Sequence, residues 1–306
     1  MKFSAAQSHV LSATLGVGLI ALLLSCASGP QLLTLSSTDG VVEPPAYGTK
    51  DYPKALAAIG SMMARELKLA PVEVSVVLYP TQVSYEQGVI AESERDRERL
   101  RQKFASGANQ PRNDDGLTAA RTMAVSSVAV GMYRKVLVNE WRVGKTPWPE
   151  WVRILAHELT HTAERELING GVSAADQWLR EGFAEWVGYK VADRFGAETL
   201  SKSREKVLDA IATVKAYQTL PALTQLVNNA QWLTWLRTLG FPATYGQAFI
   251  AVDFLIEQKG VAAAVEYFRL FGKLNNRERN FTASFGEPLA AFDKKFSAEF
   301  AHGMGK

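Results

Sequence analysis

Two histidines and a glutamate stand together at the middle of the chain, in His157-Glu158-Leu159-Thr160-His161. A helix turns once in about 3.6 residues, so positions four apart lie on one face. Both imidazoles can then reach a single metal ion, and Glu158 projects beside them toward a water bound to that ion. The H-E-x-x-H spacing thus carries the parts for metal-assisted hydrolysis: ligands for the ion and a carboxylate to take a proton from water. Only four histidines occur in the whole chain, so finding two of them at this spacing is informative. The plainer reading is a surface helix that happens to carry two histidines and an acid.

Two histidines hold a catalytic zinc poorly; three protein ligands and one open position are usual. The candidate third ligand is Glu181, in Trp178-Leu179-Arg180-Glu181-Gly182-Phe183-Ala184-Glu185-Trp186. Nineteen residues separate His161 from Glu181, enough to end one helix, turn, and bring a second back antiparallel. That return sets an acid opposite the imidazoles, whereas the alternative is an exposed helix acid. Glu185 lies one turn further on the same face. It can accept a hydrogen bond from the outer nitrogen of a bound imidazole, serve as ligand in place of Glu181, or lie at the surface. Glu164 shares the histidine face and, at i+3 from His161, is expected to be solvated.

The elements that must position these residues follow from composition and punctuation. The chain has 306 residues, 47% apolar and 21% charged, which is ample for a real core. A net charge of +3 is too small to argue for nucleic acid, and no basic patch is interleaved with aromatics, so no nucleic-acid partner is expected. Val10 to Leu24 is an apolar run of fifteen residues after Lys2, too short for a comfortable span and suited to a secretory signal. It ends in Leu23-Leu24-Ser25-Cys26, which resembles the bacterial lipobox. Cys26 is the single cysteine, so it serves no internal disulfide. Residues 1–25 therefore read as a lipoprotein signal peptide and Cys26 as the lipidated residue, with a soluble secreted protein as the alternative. By resemblance to Gram-negative lipoproteins, Ala27 directs the anchor to the outer membrane, facing the periplasm.

Residues 26–50, rich in Ser, Thr, Gly and Pro, read as a flexible tether, and residues 51–306 as one domain. Within it, 54–69 has helical periodicity, 72–79 alternates as a strand, and 81–104 is a charged helix with a solvated face stitched by i,i+4 pairs. Loop chemistry fills 106–116, and β-like runs follow at 124–130 and 135–143. The metal helix starts near Pro149 and ends at Asn169-Gly170-Gly171. The remainder reads as helical, with breaks near Gly196, Pro221, Gly240 and Gly260. The fold class is α+β: a small strand-bearing N-terminal part, a mostly helical C-terminal part, and the active-site helix between them.

With those residues in view, the chain resembles the gluzincin metallopeptidases, most closely the M1-like and related peptidase MA families. The W-L-x-E-G-F-A stretch carries that likeness over roughly residues 120–260. The resemblance implies one zinc ion held by His157, His161 and Glu181, with Glu158 as general base and then general acid. It also implies an oxyanion donor. Tyr245, in Thr244-Tyr245-Gly246-Gln247-Ala248-Phe249 and 64 positions after Glu181, stands where such enzymes carry a tyrosine. Tyr189 is the weaker alternative, and simple packing of Tyr245 the plainer one.

Such enzymes often hold substrate backbone along an exposed strand beside the metal helix, and either β-like run can supply that edge. Gly131-Met132-Tyr133-Arg134 lacks the Glu-Asn that gathers a free amine in M1 aminopeptidases, which favours an endopeptidase. Trp141, Trp148 and Trp151 crowd the entry to the metal helix and are expected to pack in the core. The expected function is a lipid-anchored zinc peptidase of the cell envelope acting on peptides or proteins. Two other readings stay open: a binding or scaffold lipoprotein, and a zinc hydrolase of a non-peptide amide.

Overall fold

The computed structural model describes residues 29–35, 41–69, 73–103, 115–215 and 219–303. Cys26 and the apolar segment before it lie outside the described residues, so the signal and lipidation readings rest on sequence alone. Strands β1 (Gln31–Leu35), β2 (Val74–Tyr79), β3 (Ala129–Met132) and β4 (Lys135–Asn139) form one sheet in the order β1-β2-β4-β3. β1 runs antiparallel to β2, β2 parallel to β4, and β3 antiparallel to β4. Parallel neighbours need a long crossover. Helix α1 (Tyr52–Glu66) lies between β1 and β2, and the crossover carries α2 (Gln82–Lys103) and α3 (Asp115–Ser126).

Alternate strand residues serve opposite faces of the sheet. Val74, Val76 and Leu78 of β2, with Val136 and Val138 of β4, enter the main core beneath α1. Tyr79 and Leu137 instead join Tyr85 and Val89 of α2 and Ala124 of α3 in a second apolar cluster. The sheet is thus a middle layer covered on both sides.

After β4 the described chain is helical: α4 (Glu140–Val143), α5 (Trp148–Leu167), α6 (Gln177–Arg194), α7 (Leu200–Lys215), α8 (Asn229–Lys259), α9 (Val261–Leu270), α10 (Arg277–Phe285) and α11 (Leu289–Gly303). The α+β class and the strand-then-helix order agree with the sequence reading. α8 is long and apolar enough to cross a membrane, but 67% of its most apolar window is buried inside the domain. It is a core helix, broken at Gly240, where φ is 77°.

Several expectations need correction. Part of the expected tether is built into the domain. Gln31–Leu35 pairs with β2, Leu35 is buried, and the Lys50 amine caps the carbonyls of Gly144 and Thr146 at 2.5 and 2.6 Å. The run 124–130 is not one strand: α3 continues to Ser126, and β3 begins only at Ala129. β-branched Val125 and Val128 hid the helix end. The run 135–143 stops as a strand at Asn139, whose side chain accepts from Arg142 N and caps α4. Trp148 and Trp151 are core residues as expected, but Trp141 is 51% exposed and faces the Lys145 amine. The charged helix α2 is not merely solvated, since Asp96 pairs with Arg165 at 2.7 Å and Arg99 donates to Gly170 O at 2.8 Å. Its internal ion pairs fall at i,i+3 (Arg95–Glu92, Arg99–Asp96, Arg101–Glu98).

Candidate metal centre

α5 begins at Trp148 with Pro149 in its first turn, where a missing N–H costs nothing. Val152, Leu155, Ala156, Leu159 and Ala163 bury the helix in the main core. This fixes its rotation and turns His157 and His161 toward α6. The chain leaves α5 through Asn169 and Gly170, both at positive φ, and returns as α6 after Asp176. The first N–H groups of α6 are anchored: Gln177 and Trp178 donate to Val227 and Leu226 carbonyls.

The antiparallel return brings the expected residues together. His157 Nε2 and His161 Nε2 are 3.1 Å apart, and Glu181 Oε2 is 3.5 Å from each. All three side chains are buried. Among the described residues they form the group of histidine and carboxylate side chains able to hold a metal ion. Gln177 donates to Glu181 Oε1 at 2.7 Å, which leaves Oε2 for the histidines.

Each imidazole also has a carboxylate behind it. Glu185 Oε1 lies 3.0 Å from His157 Nδ1, close enough for a charge contact but outside hydrogen-bond alignment. Glu164 Oε2 lies 3.3 Å from His161 Nδ1 and 3.5 Å from Arg180 Nε. The expectation that Glu164 is solvated is therefore wrong. It is buried, because α6 brings Arg180 over it. Glu185 faces the ring as expected from its i+4 spacing to Glu181.

Electrostatics follow from this ring of acids. Burial works against a charged imidazole, yet Glu181 and Glu185 outweigh it and raise His157 to about 10. Burial likewise opposes charge on His161, and Glu181 with Glu164 raises it to about 9. Burial disfavours the Glu181 carboxylate, but both histidines pull its pKa well below the ordinary range. The surrounding acids favour a proton on the ring pair, and the two Nε2 atoms, 3.1 Å apart, can share one between them. A divalent cation held there would supply the same compensation.

Glu158 is half-buried beside this group, and its Oε2 accepts from the Gly131 N–H at 2.5 Å. Gly131 belongs to β3, the strand at the sheet's edge, so the 124–130 candidate edge is met in part and the 135–143 one is internal. A Cβ at Gly131 would stand 2.3 Å from the Glu158 carbonyl oxygen, so only glycine lets β3 approach α5 this closely.

Tyr245 reaches the centre from α8, its ring 6.2 Å from that of His157 and stacked at 4.2 Å on Phe241. Burial, then the charges of Glu181 and Glu185, push its phenol well above the usual range, so it stays a hydrogen-bond donor. Tyr189 packs on Phe249 at 4.6 Å and under the Arg153 guanidinium. Cavities of about 430 and 230 Å³ flank the centre, one lined by Glu185 and Tyr245, the other by Gly131 and Glu164.

Sequence reasoning missed Gln177 and Arg153, the latter bound to Glu185 Oε2. The i,i+4 spacing of Gln177 to Glu181 and of Arg153 to His157 was the available signal. No protein-family model matches the chain, and no curated protein matches it significantly.

Proposed function

We propose that this chain is a zinc-dependent peptidase of the gluzincin type, acting as an endopeptidase. One observation carries the reading: the separations of 3.1, 3.5 and 3.5 Å among His157 Nε2, His161 Nε2 and Glu181 Oε2. Tetrahedral zinc with bonds of about 2.0–2.1 Å sets neighbouring ligand atoms roughly 3.3 Å apart. The donor set, two nitrogens and one carboxylate oxygen, is also one that catalytic zinc uses, with a fourth position left for water. Zinc bound there would lower the pKa of a water molecule and polarise a substrate carbonyl.

The chain's own residues divide the remaining work. Glu158 removes a proton from the attacking water and returns it to the leaving amine. The Gly131 N–H keeps that carboxylate oriented. Tyr245 donates to the oxygen on which negative charge develops. The open edge of β3 offers main-chain hydrogen bonds to an extended peptide. Missing the acidic residue that would gather a terminal amine at 131–134, the edge suits internal peptide bonds. Peptide or protein is the substrate class. The N-terminal pattern ending at Cys26 supports a lipid-anchored location at the periplasmic face of a bacterial outer membrane, tested by processing of the Cys26→Ser precursor.

The testing experiment compares the wild-type chain with Glu158→Gln on an unfolded protein substrate while measuring bound zinc. Zinc in both and cleavage by the wild type alone supports the reading. Zinc in both and cleavage by neither rejects peptidase activity.

A further inference from the structure

Glu185 stands between His157 and Arg153. Its Oε1 lies 3.0 Å from His157 Nδ1, and its Oε2 accepts from Arg153 Nη1. Arg153 in turn donates through Nε to Glu150 at 2.8 Å and through Nη2 to the same carboxylate. The three groups, with His157, form a continuous line from the half-exposed Glu150 to the metal centre.

Arg153 and His157 are one turn apart on α5, so the same helix face presents the ring and the clamp for its carboxylate. The packing around Arg153 is close. A Cβ at Gly188 would lie 2.9 Å from Arg153 Cγ and 2.9 Å from its carbonyl oxygen. The Tyr189 ring covers the guanidinium at 5.2 Å.

Buried ion pairs of this kind seldom stabilise more than apolar residues of the same volume. Stability alone is therefore a weak account of Arg153. A carboxylate held only by one imidazole is free to rotate about its terminal bond. Bound also by a planar guanidinium, it has one oxygen committed and the other fixed toward the ring.

We infer that Arg153 is a positioning residue for the metal centre: by holding Glu185 Oε2 it fixes Oε1 behind His157 Nδ1 and keeps His157 Nε2 turned toward His161 and Glu181. This rests on the metal-centre reading above. Arg153 is not one of the three candidate ligands and acts through Glu185.

The test is zinc affinity of the full chain, by competition with a chromophoric chelator, for wild type, Arg153→Lys, Glu185→Gln and the double variant. Loss of an outer partner of a ligating histidine typically weakens metal binding by about 10–100-fold. Arg153→Lys should lose roughly tenfold, since lysine keeps the charge but not the two-sided grip. The double variant should bind no more weakly than Glu185→Gln alone, because the clamp works only through Glu185. Wild-type affinity in Arg153→Lys, with or without a lower melting temperature, overturns the inference, and so do additive losses. Should Arg153→Lys fail to fold, Glu150→Gln loosens the outer end of the line at a half-exposed residue and is expected to weaken zinc binding a few-fold. Unchanged affinity there overturns the inference equally. A wild type that binds no zinc rejects the metal-centre reading itself, whereas zinc-binding wild type with an indifferent Arg153→Lys rejects only the role of Arg153.

Discussion

The Gly131 N–H donates to Glu158 Oε2 at 2.5 Å, linking the sheet's edge strand directly to the carboxylate beside the two histidines. The strand that would align a peptide also orients the base that would act on it. One displacement therefore disturbs both functions.

Gly131→Ala tests that coupling. The added Cβ would meet the Glu158 carbonyl oxygen at 2.3 Å and His161 Cβ at 3.0 Å, so β3 must move off α5. Overpacking of this sort costs about 1–3 kcal/mol. Urea denaturation should show a loss in that range, and turnover should fall further than the folded fraction does. A variant as stable and active as the wild type would show that the close approach is dispensable.

Tyr245→Phe removes the proposed oxyanion donor and keeps the ring packed on Phe241 and Trp232. Loss of one such donor typically lowers kcat by about 10²–10³. KM and zinc affinity should be nearly unchanged. A drop in zinc affinity, or no drop in kcat, would remove Tyr245 from the chemistry.

Much of this site is legible in sequence because its parts are local. His157, His161 and Glu158 share one helical turn, and the placement of Glu181 and Glu185 needs only one helix reversal. Arg153 and Glu164 are different. Their roles depend on the rotation of α6 against α5, which core side chains such as Leu155 and Leu179 set together. Glu164 sits at a spacing that suits solvent and is nonetheless covered by Arg180. β1 escaped notice because five residues of strand are specified by pairing with β2, about forty positions away, and not by their own pattern. The reverse error affected α3, where β-branched residues close to its end imitated a strand.

Metal binding should release protons. The acids raise His157 to about 10 and His161 to about 9, so in metal-free protein these groups favour folding most below their unfolded pKa. That contribution fades as pH rises through 9 to 10. A metal ion requires neutral imidazoles, so its apparent affinity should climb with pH from about 6.5 up to that range. Calorimetry in buffers of different ionisation enthalpy at pH 7.5 should register net proton release to the buffer. An affinity independent of pH across this window would contradict protonation of the ring pair.

Asp176, at the start of α6, gives a second pH signal. Its carboxylate accepts from the Tyr267 hydroxyl at 2.8 Å, and burial first of all raises its pKa to about 6. A raised acid favours folding below its unfolded pKa, near 3.8, and this contribution is lost as pH rises through about 6. Asp176→Asn keeps an acceptor and removes the charge. Its stability relative to wild type should improve between pH 4 and pH 7 in urea midpoints. A constant difference across that interval would show that Asp176 titrates normally.

The central claim is that His157, His161 and Glu181 grip one zinc ion from two antiparallel helices. Zinc titration of the full chain against its Glu181→Gln variant tests it most directly. One equivalent bound tightly by the wild type, and at least about tenfold more weakly by the variant, is the predicted result. No stoichiometric zinc in the wild type, or equal affinity after Glu181 is changed, would contradict it.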